Sequence, residues 1–203
     1  MNFNTNCAFK EEPHPFDVYI TKKCRFLILG TFPAKPKDRR FTFFYPSGRN
    51  RFWEVMSIVS GITINSFTDP LARHEREIIL DKLNVGLADM GSRVLRQADS
   101  SMDINIFPIE FQDIFRILEK HPGITHLILT SKGKGNSAYD WFKSYCKLNR
   151  MNFTLEKGAY PMQKDLILVD NRKVKVVLLP STSNICRYST PELVQFYRDL
   201  LTP

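Results

Sequence analysis

Residues 25–60 read RFLILGTFPAKPKDRRFTFFYPSGRNRFWEVMSIVS, and the class of fold turns on this stretch. The apolar run at its start, Phe26 to Leu29, is too short for a helix and stops at Gly30, so it reads as a buried strand. The following residues, 31–49, carry prolines at 33, 36 and 46, a glycine at 48 and alternating basic and aromatic side chains, which predicts a long loop. Asn50 then opens an amphipathic helix with Phe52, Trp53, Met56 and Val59 on or near one apolar face. Loops of this length inside compact domains are usually functional, and ligands of open α/β sheets bind beyond the carboxyl ends of the strands. Residues 30–50 are therefore expected to be site and not scaffold.

The rest of the chain repeats strand, loop and helix. NVGLADM (84–90) reads as a second strand ending beside Gly91-Ser92-Arg93, and ITHLILT (124–130) as a third, followed at once by SKGKGN. The runs 165–170 and 173–179 flank Asn171-Arg172, which suggests a hairpin whose second arm enters the sheet and ends at LPSTSN. Helices are expected after Asp69-Pro70, over 110–120, over 137–148, and from Pro191 to the end. VLRQADSSMDINIFP (94–108) is polar and uneven and is expected to be a loop. The pattern predicts an α/β fold, a three-layer α/β/α sandwich with a central four-stranded, mostly parallel sheet. Residues 1–24, polar and proline-bearing, are expected as an N-terminal arm, and 25–203 as a single domain.

Twenty-nine Lys and Arg against 21 Asp and Glu leave a formal net charge of +8, which favours a polyanionic partner as much as it describes a merely basic protein. The cysteines at 7, 24, 146 and 186 form no CxxC pair and have no suitably spaced histidines, so reduced thiols and no metal are expected. The first residues lack the apolar core of a signal peptide, and no apolar run approaches the roughly 18 residues of a membrane span, so a cytoplasmic location is expected. GxGxxG is missing after the first strand and GxxxxGK[ST] is absent, which argues against a dinucleotide or P-loop cofactor.

Every predicted strand delivers unusual residues at its carboxyl end: GTFPA, DMGSR, SKGKG and LPSTSN. Each piece alone has a plain reading. Asn50 suits a helix cap, and Phe52 and Trp53 suit the core. SKGKG suits a solvated turn, although its Lys132 and Lys134 equally suit phosphate contacts, and Asp38 suits a surface carboxylate.

Taken in order, ILGTFPA, FFYPSGRNRFW, GLADM, LTSKGKGNSAYDWF and LPSTSN followed by YSTPELVQFYRDL resemble the uracil-DNA glycosylase superfamily over roughly residues 25–201. The sequence looks closest to the mismatch-specific uracil/thymine and hypoxanthine-DNA glycosylase branches. That resemblance implies a monomeric enzyme without cofactor that flips a deaminated base out of DNA and cuts its N-glycosidic bond. It implies a base pocket built from Gly30, Thr31, Phe32, Pro33, Phe44, Tyr45, Ser131 and Lys132, with Phe43 beside them. It implies DNA contacts at Arg39, Arg40, Arg49, Lys134 and Arg187, and a minor-groove loop of Pro180, Ser181, Thr182, Ser183, Asn184 and Ile185. The sequence departs from the pattern at Phe32, where many relatives carry Asn or Asp to orient the attacking water, and at Ser47 and Leu179. Asn50 is then the leading candidate for positioning the water and Asp89 the second. A catalytically inactive nucleic-acid-binding protein on the same fold is the alternative, because fold does not decide activity.

Overall fold

The computed structural model describes residues 9–97, 100–133 and 136–202. In chain order its strands are β1 (Phe9–Pro13), β2 (Phe26–Gly30), β3 (Val85–Asp89), β4 (Gly91–Gln97), β5 (Ile106–Phe111), β6 (His126–Leu129), β7 (Met162–Ile167) and β8 (Lys173–Leu178). The helices are α1 (Phe52–Ser60), α2 (Leu71–Leu83), α3 (Ile114–Lys120), α4 (Ala138–Leu148) and α5 (Thr190–Leu201). The central sheet has five strands in the order β3-β2-β6-β8-β7. β2 pairs in parallel with β3 and β6, and β6 in parallel with β8, so their carboxyl ends open on one edge.

Side chains alternate across a strand, and β2 is buried on both faces because each face meets its own layer. Phe26 and Ile28 pack with Phe52, Ile79 and Tyr197 from α1, α2 and α5. Leu27 and Leu29 pack with Ile114, Leu118 and Phe142 from α3 and α4. This gives the three layers. Local signals set the helix ends: α5 starts in a capping box between Ser189 and Glu192, α4 is capped by Ser137, and α1 stops at Gly61 with φ +69°.

The structure departs from the expected four strands in one respect. Both arms of the hairpin enter the sheet, with β7 antiparallel to β8 from Met162↔Leu178 to Ile167↔Lys173. β7 is an edge strand with most of its side chains exposed, so its sequence lacks the apolar run that marks its inner neighbours.

Residues 94–108, expected as a loop, instead supply the second half of β4 and the first half of β5 in an antiparallel ribbon in which β4 lies between β1 and β5. Val94 and Ile106 bury one face of it in the core, and charged cross-strand pairs add to its hold. Arg93 pairs with Glu11 and Glu110 on the two flanking strands, and Arg96, 1% exposed, pairs with Glu12 at 2.9 Å. β5 runs to Phe111, so the helix expected from 110 begins at Ile114, capped by Asp113.

The segment expected as an arm, from residue 9 onward, is built into this body. β1 pairs with β4, and Tyr19 and Leu87 exchange backbone hydrogen bonds of 2.9 and 2.8 Å along the outer edge of β3.

Candidate active site

Gly30 closes β2 where β3 ends, and the two strand ends touch. A Cβ on Gly30 would lie 2.2 Å from Asp89 Oδ1 and 3.4 Å from the Tyr45 hydroxyl oxygen, so only glycine lets that carboxylate sit there. Thr31, buried, donates from Oγ1 to Asp103 Oδ1 at 2.9 Å. Although the Asp103 residue as a whole is exposed, its carboxyl is turned onto Thr31, where desolvation pushes it up to about 6, with the Thr31 bond opposing the shift, the Asp89 charge adding to it and Arg96 opposing it. Arg96 donates to the Pro33 carbonyl at 3.0 Å and lies 5.7 Å from the Phe32 ring centre, so the ribbon supports the first loop from behind.

The aromatic residues of that loop are placed differently from one another. Phe32, Phe43 and Phe44 are buried and form walls of the site, with no free face for a stacked base. Phe43 packs on Trp53, and Phe44 on Phe16. Tyr45, with φ +50°, turns back toward the strand ends. Its ring stacks on Phe52 with centres 3.9 Å apart, and its hydroxyl lies 3.4 Å from Thr130 Oγ1 at the end of β6. Burial pushes that hydroxyl well above its ordinary pKa, so it stays protonated and able to donate.

Asn50 joins the first loop to the last. Its Oδ1 accepts from the Phe52 backbone N–H at 2.9 Å, satisfying the first amide of α1 from the residue before its N-cap, Arg51, and from Thr182 Oγ1 at 2.7 Å. Arg51 N donates to Thr182 O at 2.9 Å, Asn184 N donates to Arg49 O at 3.3 Å, and the Arg51 guanidinium reaches Ser183 O. Pro180 and Thr182 are thereby buried, and Ser181 Oγ accepts from Ser183 N within the turn. At the tip Asn184 is exposed and Ile185 is 93% exposed. Asn50 Oδ1 is fully engaged, while its Nδ2 makes no hydrogen bond among the described residues. Beside it lies a cavity of about 400 Å³ lined by Arg40, Tyr45, Ser47, Asn50, Trp53 and Arg76, among others.

The remaining residues separate into two groups. Arg40, Arg49, Lys132 and Arg187 are exposed, with Arg187 donating to the Tyr188 hydroxyl at 2.9 Å. Ser131 is turned onto the start of α4, where its Oγ accepts from Ala138 N, and Arg39 is tied to the Ala34 carbonyl at 2.6 Å. Asp38 accepts from Ser101 Oγ and is held in the loop. Lys134 lies outside the described residues. Among the described residues no group of three or more His, Cys, Asp or Glu is arranged to hold a metal ion, and no helix is long and apolar enough to cross a membrane.

His14 is the site residue that sequence reasoning missed. Its Nε2 lies 2.9 Å from Asp89 Oδ2, and both side chains are 9% exposed. Its Nδ1 lies 2.7 Å from the Phe16 carbonyl oxygen, and the ring sits among Phe16, Phe32 and Phe44 with centres 5.3 to 5.8 Å away. The signal was a His-Pro-Phe run in a segment otherwise read as surface.

No family model and no curated protein matches the sequence. Among solved structures the chain is similar to the solution NMR structure of a protein from Methanosarcina acetivorans described as a "putative Uracil DNA glycosylase", with a TM-score of 0.57 and 18% identity. The match covers 93% of this chain and 98% of that one, so the likeness is of whole fold to whole fold.

Proposed function

We propose that this protein is a monofunctional DNA glycosylase that flips out a deaminated base, uracil or hypoxanthine, and hydrolyses its N-glycosidic bond. The observation that carries this reading is the loop 180–185. It is braced by a proline and by Asn50, and it presents Ile185, 93% exposed, beside the strand-end cleft. An isoleucine presented to water between hydrogen-bonded Asn184 and Cys186 suits a wedge that enters a base step and fills the space of an extruded nucleotide. The exposed Arg40, Arg49 and Arg187 suit backbone phosphates, and the fold shared with the Methanosarcina protein supports the same reading.

In this mechanism the bond breaks toward an anionic base and an electron-poor sugar, so the enzyme supplies aimed donors and a held water. The free Nδ2 of Asn50 and the protonated Tyr45 hydroxyl are donors at the cleft, and Asp89 Oδ1 is an acceptor. No step needs a metal or a nucleotide.

The test is a duplex carrying one uracil or one hypoxanthine, incubated with the protein and heated in alkali. Strand scission at the lesion is expected. Retention of the duplex without scission would instead favour the inactive DNA-binding protein, and neither scission nor retention would remove nucleic acid from the account.

A further inference from the structure

The cavity beside Asn50 holds a charge that the glycosylase reading leaves unused. Arg76, on α2, lines it and is only 2% exposed. Its guanidinium carbon lies 4.0 Å from the centre of the Phe41 ring and 5.4 Å from that of Trp53, and both rings line the same cavity. Nη1 is spent on two carbonyls, donating to Ala72 O at 2.6 Å and to Ser66 O at 3.1 Å. Among the described residues Nε is buried without a partner, and Nη2 makes no hydrogen bond either. Those two nitrogens share one edge of the guanidinium, the fork that grips both oxygens of a carboxylate.

An arginine stays charged even when buried, and a buried charge is costly until it is paired. The two acids whose charges reach Arg76 are turned to other donors. Glu75 accepts from Asn65 N, Ser66 N and Ser66 Oγ, and Asp69 Oδ2 accepts from Thr42 N and Oγ1. Uracil and hypoxanthine are uncharged when they leave the stack, and duplex phosphates meet exposed arginines, so neither supplies the missing anion. The cavity of about 400 Å³ is walled by Trp53, Ile58, Ile64 and Phe67, and its charged lining residues, Arg40 and Arg76 against Glu54, leave it positive. Apolar walls with a few polar groups at that volume suit a small organic molecule. We infer that this cavity is a second ligand site, which takes a small carboxylate with an aromatic or aliphatic body, its oxygens gripped by the unspent edge of Arg76 and its body laid against the apolar walls. The inference stands apart from the glycosylase reading, because the binding needs no DNA.

The test is a titration of isotope-labelled protein with phenylacetate, hexanoate and indole-3-acetate in turn, following the indole N–H signals of its two tryptophans by NMR. Trp53 lines the cavity, whereas Trp141 lies on α4 in the opposite layer. At least one carboxylate should therefore shift the Trp53 signal saturably, with a Kd of about 1 mM or tighter, and leave Trp141 in place. The corresponding amide, which keeps the shape and drops the charge, should bind roughly tenfold more weakly or worse, as for the loss of a charge-assisted hydrogen bond. Arg76→Gln keeps a donor without the charge, so acid and amide should bind it alike. Its thermal unfolding is measured first, and if it does not fold, the comparison of acid with amide on the wild type decides. Three results overturn the assignment: no carboxylate of the three moves Trp53, acid and amide bind the wild type equally, or free uracil moves Trp53 at least as tightly as the best carboxylate, which would make the cavity the base pocket. A wild type inert toward both DNA lesions fails the glycosylase reading alone and leaves this titration as it stands.

Discussion

Asn50 has two tasks that one substitution can separate. Its oxygen binds the first amide of α1 and holds Thr182, and its nitrogen makes no hydrogen bond among the described residues. Asn50→Asp keeps both acceptor contacts and suits a helix N-terminus, so the melting temperature should hardly move. If the amide donor serves the reaction, cleavage should fall roughly 10² to 10³-fold in the same variant. Asn50→Ala should lose about 1 to 2 kcal/mol of stability as well, because both contacts go together. Asp103 makes a different prediction. A carboxyl whose folded pKa is about 6, against an ordinary 3.8, holds its proton more tightly in the native state. Its contribution to stability is complete below the lower value and is lost as pH rises through the upper one. Asp103→Asn should flatten that part of the melting-temperature profile between pH 4 and 6. An unchanged profile would mean that solvent screens the group.

Arg96 binds three elements together, since its guanidinium meets Glu12 on β1, Ser100 O beyond β4 and Pro33 O in the first loop. Removing one partner of a buried ion pair is costly, so Arg96→Met should lower stability by about 3 kcal/mol in a denaturant titration. Activity should fall as well, because Phe32 loses its support. A loss of activity with full stability would place Arg96 in the reaction itself. The ribbon that Arg96 stabilises is also where the sequence was least legible. β2, β3, β6 and β8 announce themselves through apolar runs, and α2, α4 and α5 through capping and period. β4 carries arginines where an apolar face is expected, and its partners on β1 and β5 are joined to it by ion pairs between residues as far apart as Arg93 and Glu11. Such pairing is a tertiary fact that no local window contains.

For the molecule as a whole, a formal charge of +8 predicts DNA affinity that falls steeply with salt. Replacing the exposed Arg40, Arg49 and Arg187 together by Gln should reduce the slope of log K against log salt by about 2 to 3, roughly one unit for each phosphate that is no longer neutralised. An unchanged slope would put the phosphate track elsewhere. The strand-end site was legible as a set of loops because topology alone brings the carboxyl ends of parallel strands together. The His14–Asp89 pairing was not, since it joins residues 75 positions apart through a segment with no periodicity of its own. The bond between Thr182 and Asn50 spans 132 positions and has a mechanical consequence. The loop that carries Ile185 and the side chain of Asn50 are linked through this bond, so a shift of Thr182 with the loop is transmitted to the Asn50 amide. If the loop docks and the amide serves as proposed, docking and alignment would be coupled, and a surface that fails to seat the loop would leave the amide idle.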